Sequence, residues 1–347
     1  MTGNEATGID PVSALKRISF LLERNGADTY KVRAFRHAAA AVEPLSEAEL
    51  TKLAKAHKLQ TIEGVGKSTA QAIEEALAGK VPTYLAKLES EPSTIELDPA
   101  AAKLLKQLKG DCHSHSDWSD GGSPIQEMAQ TAKDLGRRYL VLTDHSARLT
   151  VAHGLDAERL RKQLQVVADL NEELAPFRIL TGIEVDILED GSLDQDEDLL
   201  AELDVVVASV HSKLRMDAPT MTKRMLAAIE SPHTDILGHC TGRLITGKGR
   251  PPSSFDAEAV FGACARTGTA VEINSRPERQ DPPEDLLRLA IEMGCDVSID
   301  TDAHAPGQLE WLGRGCANAV KADVPTSRIV NRKSADDLVA WAATHAA

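Results

Sequence analysis

The sequence predicts a parallel α/β barrel preceded by a small all-helical domain. Three observations carry this reading. Apolar residues recur at helical spacing through the first ~90 residues. From residue 109 onward, short β-like runs alternate with helical stretches. Every β run except 270–274 ends in a histidine or a carboxylate. A length of 347 residues suits two or three domain-sized units.

The helical part comes first. Ile18, Leu21 and Leu22 begin one apolar stripe, and Val32, Phe35 and Ala39 another. Ser46 reads as an N-cap with Glu49 three residues on, the pattern of a capping box. Gly64-Val65-Gly66-Lys67 then opens a helix carrying Ile73 and Ala76, and Gly79 to Pro82 ends it. Domain boundaries are expected at 8–90 for the helical part, 91–108 for a linker and 109–340 for the barrel.

The barrel strands are expected at about 109–115, 139–145, 178–186, 205–211, 235–239, 270–274 and 296–302, each followed by a helix. Ser123-Pro124 and Asp156 read as helix starts.

Charge divides along the chain. The formal net charge of −14 taken whole argues against nucleic acid, because phosphate binding needs basic surface. Residues 11–88, however, hold 12 Lys and Arg against 8 Asp and Glu, or +4. Residues 101–347 hold 27 against 39, or −12. Such asymmetry points to two jobs. No apolar run reaches the ~18–20 residues a membrane span needs. The N-terminus has no secretory pattern, and the five cysteines form no C-x-x-C pair, so a cytoplasmic protein is expected.

The strand ends carry the chemistry. They supply Asp111, His113 and His115, then Asp120, then Asp144 and His145, Glu184 and Asp186, His211, His239, and finally Asp300, Asp302 and His304. Side chains alternate along a strand, so His113 and His115 share a face, as do Asp302 and His304. In a parallel barrel the C-terminal strand ends converge on one rim. Six histidines and three carboxylates there suit Zn, Mn or Fe, and so many ligands imply more than one ion. A single buried histidine is more often a hydrogen-bonded core residue, but a core role does not explain placement at successive strand ends. His37, His57, His153, His233 and His345 fall elsewhere and read as structural or solvated.

Lys109 to His115, Thr143 to Ser146, Ser209 to Ser212, Gly238 to Arg243 and Asp302 to His304 resemble the PHP (polymerase and histidinol phosphatase) domain. The version attached to bacterial family X DNA polymerases is the most similar. The resemblance implies a distorted seven-stranded (β/α) barrel, the PHP fold, with three divalent metal ions. It implies ligands at His113, His115, Asp120, His145, Glu184, His211, His239, Asp302 and His304. Clustered divalent ions activate water and stabilise a departing phosphate oxygen. Arg243 and Arg279 are candidates for holding the phosphoryl group, since a planar guanidinium matches phosphate oxygens. Each is equally readable as a surface salt-bridge residue. Lys213 is a weaker candidate, and Trp118 fits either a stacking platform or an apolar lid.

In the helical part, Ile62 to Ile73 resembles a helix-hairpin-helix motif, in which glycines let backbone amides approach a DNA phosphate. Tyr30 to Arg36 resembles the opening of the family X N-terminal domain. The expected DNA contacts are Gly64, Val65, Gly66, Lys67, Lys31, Arg33 and Arg36, with Lys52, Lys55 and Lys58 adding positive charge. Two departures stand out. Ala72 occupies the position of the lysine that relatives with lyase activity use. About 20 residues separate Lys87 from Lys109, too few for a polymerase palm of ~100 residues, so no polymerase activity is expected.

The expected function is a metal-dependent phosphoesterase acting on DNA as a 3′→5′ exonuclease or 3′-phosphatase in repair. Its DNA would be held by the helical domain and its phosphoester at the barrel rim. The alternatives are a small-molecule phosphatase resembling histidinol phosphatase and a non-catalytic repair adaptor.

Overall fold

The computed structural model describes residues 9–91 and 97–345, and these divide into two compact units, 1–96 and 97–347. The expected start of the helical domain at Gly8 and residues 92–96 of the expected linker lie outside the described residues.

The first unit is all-helical. Its helices are α1 (Pro11–Arg24), α2 (Thr29–Val42), α3 (Glu47–Lys55), α4 (Lys67–Leu77) and α5 (Thr83–Ser90). Asp10 caps α1 by accepting the Ser13 amide, and Ser46 and Glu49 close the capping box on α3. Leu15, Ile18, Leu21, Phe35, Val42 and Ile73 form the core of this unit. The turn into α4 depends on Gly64, whose φ of +88° lies in the left-handed region. Val65 then buries into the core, and the Thr69 hydroxyl accepts the Gly66 amide at the start of α4.

The second unit opens with α6 (Pro99–Leu105), which packs on the barrel's own α13 (Leu312–Lys321). Residues 97–108 therefore belong to the barrel rather than to a linker. The alternation then runs β1 (Gly110–Ser114), α7 (Ile125–Asp134), β2 (Tyr139–Leu142), α8 (Ala157–Leu174), β3 (Arg178–Asp186), α9 (Glu197–Leu200) and β4 (Val205–Ser209). It continues with α10 (Ala218–Ile229), β5 (Ile236–Leu237), α11 (Ala257–Thr267), β6 (Ala270–Asn274), α12 (Glu284–Glu292), β7 (Val297–Asp300) and α13, and ends with α14 (Ala335–Ala342). All seven strands are parallel and lie in sequence order. They are almost wholly buried, as a helix-covered parallel sheet requires, and β2 and β4 read as apolar runs.

The ring nearly closes between β7 and β1, and side chains do most of the joining. One bridge pairs Ser114 with Ala303. The Cys112 amide donates to Asp300 Oδ1 at 2.8 Å, and the Thr301 amide to Asp111 Oδ1 at 3.2 Å. The five cysteines are buried free thiols. No helix among the described residues is long and apolar enough to cross a membrane.

Candidate metal centre

All nine expected ligands meet at the C-terminal ends of the strands. Glu184 on β3 is the hub. Its Oε2 lies 3.3 Å from His113 Nε2, 3.6 Å from His115 Nε2 and 2.8 Å from His145 Nδ1. Its Oε1 lies 3.2 Å from His211 Nε2 and 2.8 Å from His239 Nε2. Asp120 faces the same place from the loop after β1, with Oδ1 3.1 Å from His304 Nε2 and 3.5 Å from His145 Nε2. Asp302 Oδ1 lies 3.5 Å from His115 Nε2. His113, His115 and Glu184 are buried at the floor, whereas Asp120 is exposed at the rim.

Three sets of donor atoms lie close enough to share an ion. They are His115, Asp120, His145 and His304; His113, His115 and Glu184; and His145, Glu184 and His211. His239 and Asp302 stand beside these sets rather than in them. The donors fit cations on a second ground. Apart from the approaches to Glu184 and Asp302 just given, His113 Nε2, both His115 ring nitrogens, His145 Nδ1, Glu184 Oε2, His211 Nε2 and His239 Nδ1 are buried without a hydrogen bond. Buried polar atoms normally find partners, and so many orphans around one point are costly unless something charged sits among them. Mixed imidazole and carboxylate donors suit Zn, Mn or Fe.

The electrostatics divide the imidazoles: against burial, Glu272 and Glu184 push His113 well up, and Glu184 with Asp186 pushes His211 up to about 9, so a cation would have to displace protons there. Burial, together with the neighbouring His304 and His145, holds the His115 imidazole well below its usual range, which leaves it neutral and able to ligate. Burial acts to raise the Glu184 carboxyl, but His211, His113 and His145 outweigh it and hold the group well below. Burial likewise acts to raise Asp302 and is outweighed, here by Arg276 and His113. Two of the donors sit on a left-handed backbone, His239 at φ +22° and Asp302 at φ +52°. Non-glycine residues rarely adopt it, and such strain clusters at functional sites.

A second layer of carboxylates orients these groups. Asp144 accepts from the Ser116 amide and hydroxyl, the Ser119 hydroxyl and Gln163, and so fixes the loop that presents Asp120. Asp186 accepts the His211 amide and lies 3.3 Å from its Nδ1. The strand 270–274, the one run that does not end in a histidine or carboxylate, supplies the best-placed one. Glu272 is fully buried, with Oε1 2.6 Å from His113 Nδ1 and Oε2 accepting the His239 amide at 2.5 Å. It tethers the strained His239 backbone and turns His113 Nε2 toward Glu184. Asn274, on the same face, donates to Asp302. The available signal was a carboxylate two residues before an asparagine inside an apolar strand, which alternation puts on one face.

The arginines lie beside the centre. Arg279 Nε is 3.3 Å from Asp302 Oδ2, and its Nη1 is buried without a partner. Arg243 donates to the backbone carbonyls of Arg279 and Gln280 rather than to a surface carboxylate. Arg276, not singled out in the sequence, contacts Asp302 and His304. Lys213 is exposed, and Trp118 is half-buried against the core. His345 is structural, with Nδ1 2.6 Å from Asp235.

In the helical unit a cavity of about 680 Å³ is lined by Gly66, Lys67, Ala72, Tyr30, Lys31 and Lys87 among others. Lys31 lies over the Tyr84 ring, and Arg33, Gly64 and Lys67 are exposed. Val65 is buried, and Arg36 Nε is held 2.7 Å from the buried Glu23.

Residues 9–81 match the family model of the helix-hairpin-helix domain, and residues 111–276 that of the PHP domain. The DNA polymerase/3′-5′ exonuclease PolX of Bacillus subtilis (strain 168) is 42% identical over 237 residues. That match takes in 68% of this chain and 41% of the relative, so the chain spans well under half of that protein's length. A probable phosphatase of Thermoanaerobacter sp. (strain X514) is 32% identical over 205 residues, 56% of this chain and 78% of the relative. Among solved structures, the histidinol phosphate phosphatase of Lactococcus lactis subsp. lactis Il1403, complexed with zinc, L-histidinol and phosphate, aligns with a TM-score of 0.45 at 20% identity. It covers 62% of this chain and 93% of that one.

Proposed function

We propose that this chain, which belongs to the PHP-domain family and carries a helix-hairpin-helix domain ahead of it, hydrolyses phosphoesters at DNA ends as a 3′→5′ exonuclease or 3′-phosphatase. The observation that carries the reading is one chain holding both a cage of orphaned imidazole and carboxylate donors and a separate basic helical unit built around Gly64-Val65-Gly66. The name of the Bacillus relative, which includes a 3′-5′ exonuclease, supports it.

His113, His115, Asp120, His145, Glu184, His211, His239, Asp302 and His304 would hold the ions, three by the resemblance, of Zn, Mn or Fe. When bound, such ions supply an activated water and offset charge on the leaving oxygen. The remaining work belongs to the protein. Glu272 and Asp186 orient His113 and His211. Asp302 holds Arg276 and Arg279, leaving Arg279 Nη1 to grip a phosphoryl oxygen. The helical unit holds the duplex backbone through Lys31, Arg33, Lys67 and the amides at the start of α4. Buried free thiols fit work in the reducing cytoplasm.

Full-length protein loaded with Mn²⁺ and given end-labelled oligonucleotides should shorten them stepwise from the 3′ end or release a 3′-phosphate. A fully metallated protein that does neither overturns the reading. The second reading is a small-molecule phosphatase, favoured by the name of the Thermoanaerobacter relative. It wins if small phosphomonoesters give a higher kcat/KM than any oligonucleotide.

A further inference from the structure

Beside the metal centre the chain builds a small basic platform that its nine donors do not need. Leu244 and Arg250 pair across a β-hairpin, each amide donating to the other's carbonyl at 2.9 and 2.8 Å. Gly247 and Gly249 turn it through left-handed backbone at φ +63° and +66°. The Ile245 amide anchors it to Glu278 O at 2.7 Å, one residue before Arg279. Lys248 stands exposed at the tip, and Ile245 is half-exposed beside it.

Two guanidiniums at this hairpin, Arg243 and Arg250, are held by backbone carbonyls. Arg250 Nε donates to Gly242 O at 2.6 Å, and Arg243 donates to two more backbone carbonyls. Neither makes an ion pair with a carboxylate, although this part of the chain is acidic overall at −12. Burial and the nearby Arg279 charge push the Arg250 guanidinium below its ordinary value, outweighing the Asp281 carboxylate. Carbonyl bonds pin the hairpin but do not neutralise it. Arginines held only by carbonyls keep charge and donors to offer an anion, and the guanidinium fork matches phosphate.

We propose that Arg250 and Lys248, carried on the 244–250 hairpin, form a subsite for a second phosphate of the strand whose terminal phosphoester lies at the metal centre. The inference rests on the DNA reading above and narrows it. A small phosphomonoester presents one phosphate, which the centre and Arg279 already engage. Only a polynucleotide carries a further phosphate out to the hairpin. Strand contact is then shared between the barrel and the helical unit rather than confined to the latter.

The test compares two substrates with the same reacting group, an oligodeoxynucleotide 3′-phosphate and a mononucleoside 3′-phosphate, using the full-length Mn²⁺-loaded enzyme. Arg250→Ala should lower the quotient of their kcat/KM values about 10- to 100-fold, through KM, the worth of one charge-assisted contact. It should also flatten the salt dependence of oligonucleotide KM by about one log–log unit. Arg250→Lys should recover part of the loss. Lys248→Glu, on the exposed tip where folding does not depend on it, should shift the quotient the same way and decides the matter if Arg250→Ala misfolds. A quotient within about twofold of wild type in Lys248→Glu and in folded Arg250→Ala overturns the subsite. Wild-type enzyme that ignores the oligonucleotide overturns the DNA reading itself.

Discussion

The two units solve opposite electrostatic problems. The barrel gathers carboxylates and imidazoles at a buried floor, where desolvation makes each donor expensive until a cation arrives. The helical unit spreads lysines over its surface, where water carries most of the cost until a polyanion displaces ions. The difference teaches where function can be read. A buried polar cage has few structural explanations, whereas a surface lysine has many.

Four substitutions sharpen or break this contrast. The largest effect is expected from His115→Ala at the floor. Hydrolysis should fall about a thousandfold, as several kcal/mol of charge stabilisation go, in a single-turnover assay. DNA affinity by fluorescence anisotropy should stay within about threefold, because that property is proposed to belong mainly to the other unit. A parallel collapse of affinity would break the division. Next comes Glu272→Gln, which keeps the volume but removes the charge facing His113. Titration of Zn²⁺ or Mn²⁺ into stripped protein should show affinity about 10- to 100-fold weaker. Unaltered affinity would make Glu272 a packing residue only.

The smallest effects fall in the helical unit and separate two basic residues that look alike in sequence. Arg36→Ala should cost about 2 kcal/mol in denaturant melts, less than a fully buried pair, because Arg36 keeps some exposure while Glu23 does not. Lys67→Ala should leave stability within about 0.5 kcal/mol but lower the salt slope of DNA binding by about one. The reverse pattern would exchange their roles.

Most of the barrel was legible because alternation and strand-end placement are local. His113 and His115 share a face by spacing alone, and successive strand ends converge by topology. Glu272 was not legible in the same way. It sits in mid-strand, and its partners His113 and His239 are 159 and 33 residues away. Arg36 was misleading for the same reason. A basic residue on a helix reads as surface until α1 brings Glu23 against it. Arg250 lies in a Gly-rich stretch, and only the folded hairpin shows that carbonyls, Arg279 and Asp281 are its neighbours. Local pattern finds donors; tertiary contact decides which charges are already answered.

The seam between β7 and β1 gives the metal centre a second meaning. The ring's first and last strands are joined there largely by side chains and one bridge rather than by a continuous ladder. The donors on either side of that gap are His113 and His115 at the end of β1 and Asp302 and His304 just past β7. An ion held by both His115 and His304 would act as the clasp of the barrel. The same atoms that do chemistry would fasten the first turn of the fold to the last, so a chelator would loosen the hoop as well as silence the enzyme.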